Sequence, residues 1–112
     1  MTVFKRRKRH ALEAAEAHAE QHAGRLVLVD VRGSDERAAG FAPGSQHLPL
    51  DELQGRLGDL PSDKPIAFVC KSGRRSAIAA QAARKAGLDA SNVSGGMDAW
   101  HAAGLQTDRS HA

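Results

Sequence analysis

The sequence predicts a small α/β domain in which a doubly wound parallel sheet carries helices on both faces. Its 112 residues are enough for one hydrophobic core. Two continuous apolar runs, at 26–31 and 65–69, are typical of strands buried on both faces of a sheet. Alanine-rich helical patterns alternate with these runs, which indicates parallel strands joined through helices.

The amino-terminal half is predicted to alternate short elements with turns. Residues 10–23 are rich in Ala and Glu and stop at Gly24, as a helix with a glycine ending does. Ser34 is expected to cap a second helix, because Asp35 and Glu36 would then occupy its first turn. The remaining elements expected here are a strand at 26–31, a turn at Pro43 and Gly44, a strand at 45–48, and a helix at 51–57 capped by Asp51.

The carboxyl-terminal half is predicted to contain the second buried strand and the helix with the strongest sequence pattern in the predicted domain. The strand covers 65–69 and the helix covers 76–86. Residues 92–93 are expected to form a short strand at most. A last helix at 97–103 carries Trp100, which we expect to pack in the core.

The predicted domain covers residues 24–106, between an N-terminal segment with a helix at 1–23 and a short tail at 107–112. The formal net charge is +3, from 16 Lys and Arg against 13 Asp and Glu. We expect the N-terminal segment to be a solvated extension, with contact to nucleic acid or an anionic surface as the alternative. Its basic residues are Lys5, Arg6, Arg7, Lys8 and Arg9.

Composition also bounds the class of protein. One cysteine allows no disulfide within the chain, which fits a reducing compartment, and we expect a cytoplasmic monomer. No stretch approaches the roughly 20 apolar residues that span a bilayer. Neither a CxxC nor an HExxH spacing occurs, so no metal site is expected.

Cys70 is the most informative residue because of its position. It follows the second buried strand and opens a loop that leads into the strongest helix. Helix N-termini present unpaired N–H groups, and nearby cations lower a thiol pKa from its usual value of ~8.5. The loop supplies three such cations, Lys71, Arg74 and Arg75. The segment therefore predicts a thiolate nucleophile in an anion-binding loop, with a buried, inert cysteine as the alternative.

A second polar residue, Asp30, is predicted at the same edge of the sheet. It stands near the end of the first apolar run, and Arg32 follows it. Ligands of open parallel sheets bind outside the carboxyl ends of the strands. We therefore expect Asp30 to lie near Cys70, where Asp30 and Arg32 could orient the cysteine loop.

Four segments in order resemble motifs of the rhodanese family of sulfurtransferases in its short single-domain form. They are Leu28-Val29-Asp30-Val31-Arg32, Gly40-Phe41-Ala42-Pro43-Gly44-Ser45, Cys70-Lys71-Ser72-Gly73-Arg74-Arg75-Ser76 and Gly95-Gly96-Met97-Asp98-Ala99-Trp100. The resemblance covers roughly residues 26 to 104. Phe41 stands where the family usually has histidine, and Arg37 where an aromatic residue commonly follows the glutamate. We expect both departures to alter the rim of the site.

The resemblance implies a sulfurtransferase that carries sulfur as a persulfide on Cys70, with no metal or organic cofactor. The donor would be thiosulfate or a related compound, and the acceptor cyanide or a thiol such as glutathione or a thioredoxin-like protein. Asp30 and Arg32 would support the loop. The residues that would bind substrate are Lys71, Ser72, Gly73, Arg74, Arg75 and Ser76.

Two alternatives stay open. The chain could be a catalytically idle binding or regulatory module, although the intact cysteine and its cationic loop argue against this. It could also be a cysteine-based phosphatase or arsenate reductase. Phosphatases of this kind place arginine six positions after the cysteine, where this chain has Ser76, and Arg75 stands one residue too early. Because reaction geometry tolerates errors of only about 1 Å, this reading is the weaker one.

Overall fold

The computed structural model describes residues 10–109, which form a five-stranded parallel sheet with helices on both faces. The strands are β1 (Ala11–Leu12), β2 (Val27–Asp30), β3 (Gln46–His47), β4 (Ile66–Val69) and β5 (Ala90–Val93). The helices are α1 (Ala14–His22), α2 (Ser34–Ala39), α3 (Leu50–Arg56), α4 (Arg74–Lys85) and α5 (Gly96–Ala102), with a 3-10 turn (Leu57–Asp59) after α3. The strand order is β1-β5-β4-β2-β3, and every pairing is parallel. The predicted fold class is confirmed.

The central strands bury both of their faces, as their continuous apolar runs predict. On one face, side chains of β2 and β4 pack against α3 and α4 in a cluster that includes Val29, Val31, Phe68, Cys70, Leu53, Ala79, Ala80 and Ala83. On the other face they pack against α1 and α5, in a cluster that includes Leu28, Ala67, Val69, Ala14, Ala17, Met97 and Trp100. Successive strand residues alternate between these two clusters. Cys70 therefore lies on the α3 and α4 side of the sheet.

Helix α1 and strand β1 pack on this sheet, which corrects the expectation of a solvated extension. Ala17 is fully buried. The amide of Ser94 donates a 2.8 Å hydrogen bond to the carbonyl of Leu12, which ties β1 to the chain after β5. Alanine buries little area per residue, so α1 lacks the apolar stripe that reveals a packed helix in sequence. The boundary before residue 24 stays a prediction, and the basic cluster at residues 5–9 lies outside the described residues.

The segment after α5 is also held to the rest of the domain by hydrogen bonds. The amides of Phe41 and Asp108 each donate to the other's carbonyl, at 2.8 and 2.9 Å. The indole of Trp100 donates a 2.9 Å hydrogen bond to the carbonyl of Gln106. Trp100 is fully buried, so its predicted core position is confirmed.

Some helix starts differ from the predicted ones. Gly33 rather than Ser34 is the N-cap of α2, because the Gly33 amide donates to the Glu36 carboxylate and satisfies this helix end. Pro49 rather than Asp51 precedes the first turn of α3. Within residues 10–109, no helix is long and apolar enough to cross a membrane.

Candidate active site

The Cys70 thiol is surrounded by hydrogen-bond donors from its own loop. Cys70 directly follows β4 and is only 1% exposed. The amide of Gly73 donates to Sγ at 3.1 Å, and the amide of Ser76 donates at 3.4 Å. The Ser76 hydroxyl oxygen lies 3.5 Å from the same sulfur. This geometry is suited to an anionic sulfur, because amides and hydroxyls can all donate to it.

Gly73 allows the loop to take this shape. Its φ of 105° lies in the left-handed region that side chains disfavour, and it is the N-cap of α4. A Cβ at this position would lie 3.2 Å from the amide nitrogen of Gly95. Helix α4 therefore begins at Arg74, two residues earlier than predicted, and the first-turn amide of Ser76 points at the sulfur.

Two opposing effects set the acidity of the thiol. Burial raises the pKa of Cys70, while hydrogen bonds from the Ser76 hydroxyl and from the amides of Ser76, Gly73 and Ser72 lower it. The hydrogen bonds prevail, so the pKa of Cys70 lies below its ordinary value. This direction agrees with the sequence-based prediction. Of the two predicted causes, helix amides and cations, the hydrogen-bond donors of the loop and of the first turn of α4 are the main ones that lower the pKa.

Two of the three loop cations are bound to carboxylates. Lys71 forms a 3.1 Å ion pair with Asp98, in which both side chains are more than half exposed. Arg75 forms a bidentate pair with Glu36, at 2.7 and 2.8 Å. Arg74 is exposed and forms no ion pair with any residue of the described part. Arg74 is thus the loop cation without a bound counter-charge.

The hydrogen bonds of Arg75 make Glu36 a stronger acid than usual. They lower the pKa of Glu36 to about 2, against the opposing effect of burial and with a smaller contribution from the Gly33 amide. Glu36 lies on α2 and Arg75 on α4, so the pair joins two helices across the cysteine loop. It can brace the loop from that side.

Helix α5 supports the loop from the other side, which sequence reasoning missed. The amides of Met97 and Asp98 donate to the carbonyls of Cys70 and Lys71, at 2.7 and 3.0 Å. A Cβ at Gly96 would overlap both of these carbonyl oxygens. The sequence did contain an indication of this contact, the paired glycines Gly95 and Gly96 of the last motif. Gly96 allows the backbone of α5 to approach the cysteine loop closely.

Asn92 is a second residue that was missed. Its side-chain amide donates a 3.2 Å hydrogen bond to the carbonyl of Gly73. Asn92 lies on β5, the strand next to β4, so the sheet itself holds the turn of the loop. No pattern in the sequence distinguishes this asparagine from a surface residue.

Asp30 lies at the same edge of the sheet as Cys70, but its side chain is hydrogen-bonded to Arg32. It is fully buried and accepts hydrogen bonds from the Arg32 guanidinium at 2.9–3.2 Å. In register it lies beside Val69, and strand alternation puts its side chain on the α1 and α5 face, opposite to Cys70. Within the described residues, no hydrogen bond or ion pair joins Asp30 or Arg32 to residues 71–76. Their support of the loop stays a prediction.

Arg37 and Phe41, the two residues that depart from the rhodanese pattern, are in contact with each other. The Arg37 guanidinium lies 4.1 Å above the centroid of the Phe41 ring. It also approaches Asp30 at 3.3 Å and donates to the Ser45 carbonyl at 2.7 Å. Burial lowers the pKa of Arg37, while Asp30 raises it. The pair therefore packs beside Asp30, and an effect on the rim of the site stays a prediction.

No group of three His, Cys, Asp or Glu side chains among residues 10–109 converges as a metal ion would require. The site consists of one acidic thiol in a ring of donors at the end of a central parallel strand. Fold and site together define an α/β protein with an acidic thiol in a loop of hydrogen-bond donors at the carboxyl end of a central strand.

The family model of the rhodanese-like domain matches residues 13–103, and the chain belongs to that family. The match begins before α1, in keeping with the packing of this helix on the sheet. The chain is 27% identical to a rhodanese-related protein from Thermoplasma volcanium, with a TM-score of 0.85 over 91% of this chain and all of that one. It is 28% identical to a thiosulfate sulfurtransferase from Pseudomonas aeruginosa, with a TM-score of 0.81 over 91% of this chain and 20% of that one.

Two curated relatives carry different names. The chain is 36% identical over 75 residues to the "Putative sulfurtransferase YtwF" of Bacillus subtilis (strain 168), covering 67% of this chain and 73% of that protein. It is also 36% identical over 100 residues to the HTH-type transcriptional regulator Rv0324 of Mycobacterium tuberculosis (strain ATCC 25618 / H37Rv). That match covers 88% of this chain but only 44% of the regulator.

Proposed function

We propose that this chain is a sulfurtransferase that moves a sulfane sulfur from thiosulfate or a related donor to a thiol or cyanide through a persulfide on Cys70. The observation that carries the proposal is the ring of donors around Sγ, from Gly73 and Ser76. The donors lower the pKa of the thiol and would stabilise the extra charge of a persulfide.

The first half-reaction is a displacement at sulfur. The Cys70 thiolate attacks the outer sulfur of thiosulfate and forms a new S–S bond. The S–S bond within thiosulfate breaks, and its electron pair leaves with sulfite. The outer sulfur remains on Cys70 as a persulfide anion. The loop amides that donate to Sγ would stabilise the negative charge of the persulfide by hydrogen bonding.

The second half-reaction returns the enzyme to its starting state. An acceptor thiolate, or cyanide, attacks the outer sulfur of the persulfide. The bond to Cys70 breaks and its electron pair returns to the thiolate. A thiol acceptor leaves as a new persulfide, and cyanide leaves as thiocyanate. A free thiol that works by this cycle is suited to a reducing compartment such as the cytoplasm.

A regulatory role is the second candidate, because one relative is named a transcriptional regulator. In that role the same thiol would report reactive sulfur by holding a persulfide. The alternative does not require rapid discharge to an acceptor. The two roles therefore differ in the second half-reaction.

The deciding experiment separates the two half-reactions. The reduced protein is mixed with thiosulfate, and intact mass is measured; we expect a gain of about 32 Da, one sulfur atom, that Cys70→Ser abolishes. Cyanide is then added, and thiocyanate is followed over time. No gain in mass with thiosulfate would contradict the proposed donor class. A stable persulfide that neither cyanide nor thiols discharge would favour the regulatory role.

A further inference from the structure

The outward face of α4 begins at the cysteine loop and extends away from it. Five exposed residues share this face, because offsets of three, four, seven and eleven return to one side of a helix. At a rise of 1.5 Å per residue the face is about 16 Å long. We call it the α4 stripe, and its members are Arg74, Ala77, Ile78, Gln81 and Lys85.

Ile78 gives the stripe an apolar centre. Its exposed fraction is 58%, and it is the one exposed large apolar side chain among residues 10–109. Isolated apolar side chains are common on protein surfaces, so the exposure of Ile78 alone does not indicate a binding site. Its position is more informative, because Ile78 lies one helical turn after Arg74, the first residue of the helix that follows the cysteine loop. An apolar side chain there cannot serve a small dianion such as thiosulfate, but it can serve a larger partner.

The charges of α4 are all positive, and two of its four cations are occupied. The helix contains no Asp or Glu. Arg75 is bound by Glu36, and Arg84 donates a 3.1 Å hydrogen bond to the carbonyl of Ala90. Arg74 and Lys85 form no ion pair or side-chain hydrogen bond within the described part of the chain. The stripe thus carries a cation at each end and isoleucine between them.

The burial of Cys70 explains why a docking surface beside the loop matters. The thiol is 1% exposed, so an acceptor must bring its own thiol into the loop opening. A cysteine on a polypeptide can enter only if the surface around it meets the rim. We propose, resting on the sulfur transfer proposed above, that the α4 stripe docks an acidic polypeptide whose cysteine accepts the sulfur. Its carboxylates would meet Arg74 and Lys85, and an apolar side chain would meet Ile78.

Docking is tested without sulfur chemistry by a synthetic peptide probe. The probe has a leucine between two glutamates and a serine where the acceptor cysteine would stand. We expect saturable changes in the amide NMR signals of residues 74–85. The double variant Ile78→Ser with Lys85→Gln should abolish them, and Lys64→Gln, an exposed lysine elsewhere, should retain them. A second peptide with lysines in place of the glutamates should not bind.

Transfer is tested with the same peptide carrying its cysteine. Protein preloaded with the persulfide is mixed with this peptide, dithiothreitol or cyanide, and the loss of sulfur is followed by intact mass. We expect the double variant to slow discharge to the acidic peptide by about five- to tenfold. Discharge to dithiothreitol and to cyanide should stay within about twofold, since neither is large enough to reach Ile78.

Several outcomes would overturn the docking proposal. Two concern transfer: the double variant slows discharge to all acceptors equally, or it leaves transfer to the acidic peptide unchanged. Two concern binding: a DNA duplex binds more tightly than the peptide, or the protein self-associates through a contact that Ile78→Ser abolishes. Failure to form any persulfide would contradict the proposed function instead. The serine peptide would still measure docking in that case, so the two failures are distinguishable.

Discussion

The amide of Met97 lies 2.7 Å from the carbonyl oxygen of Cys70, so the first turn of α5 is hydrogen-bonded to the residue that carries the thiol. The next amide, of Asp98, binds the carbonyl of Lys71 in the same way. The approach is close enough that Gly96 has no room for a side chain. The position of the thiolate loop therefore depends on a glycine 26 residues after the cysteine.

Gly96→Ala should displace the loop. The added methyl would overlap backbone oxygens of Cys70 and Lys71, and φ at this residue is +58°. We expect a loss of about 2–5 kcal/mol in the free energy of unfolding. Any folded fraction should lose sulfur transfer. Urea denaturation and thiocyanate formation measure the two effects. Gly55→Ala is the matched control, since a Cβ there meets nothing within 4 Å, and it should stabilise the protein by about 0.4–1 kcal/mol.

Ser76→Ala should raise the pKa of Cys70. The Ser76 hydroxyl is one of the donors that lower this pKa against the opposing effect of burial. Without it the thiolate loses a hydrogen bond, and we expect the pKa of Cys70 to shift upward. The rate of alkylation by iodoacetamide across a pH series measures the midpoint, which in the parent protein should lie below the ~8.5 of a free cysteine. Ser91→Ala, another buried serine, should leave the midpoint in place. An unchanged midpoint in Ser76→Ala would show that the hydroxyl does not stabilise the thiolate.

Glu36→Gln should cost stability at neutral pH and progressively less in acid. Arg75 holds the pKa of Glu36 at about 2 in the folded protein, below its ordinary 4.5. The stabilisation is therefore complete above pH 4.5 and is lost as the pH falls towards 2. Both side chains are more than a third exposed, so we expect at most about 1 kcal/mol at pH 7.

Urea denaturation of the parent and of Glu36→Gln between pH 7 and pH 3 checks this dependence. The difference in the free energy of unfolding should shrink with falling pH. Asp63→Asn, at an exposed carboxylate, is the control for general acid effects. A difference that is constant over this range would mean that the carboxylate charge of Glu36 does not stabilise the fold.

Arg74 should matter more than Lys71 for anionic reagents, although the sequence suggests equal roles. Lys71 is paired with Asp98, whereas Arg74 has no carboxylate partner in the described structure. We expect Arg74→Gln to lower the alkylation rate by iodoacetate, relative to neutral iodoacetamide, by about fivefold. Lys71→Gln should change this ratio by less than about twofold, and Asp98→Asn should increase it. The kcat/KM for thiosulfate should follow the same order. Equal effects of the two cations would show that the ion pair does not neutralise Lys71.

Sequence reasoning located the thiol and the architecture because both depend on local patterns. Continuous apolar runs identified β2 and β4, and the glycine-containing loop between β4 and α4 pointed to the thiolate. The faces of the sheet were harder to assign. Asp30 and Cys70 end neighbouring strands but lie on opposite faces, because the face depends on the register of strand pairing.

Other features of the structure could hardly be predicted from the sequence. Strand β1 has two residues, too few for any period, and it exists through its backbone pairing with β5. Helix α1 packs through alanines, so it resembles a polar surface helix. The contact of Asn92 with Gly73 joins residues 19 apart through the fold alone. Such pairings are long-range, and local propensity carries no information about them.

The support of the cysteine loop by α5 also has a consequence for biosynthesis. The ribosome makes β4 and the cysteine before it makes Gly96 and the helix that holds the loop. Until that helix has emerged, the carbonyls of Cys70 and Lys71 lack the amides of Met97 and Asp98 as hydrogen-bond partners. We therefore expect the loop to reach its final geometry around the thiol only after α5 has folded.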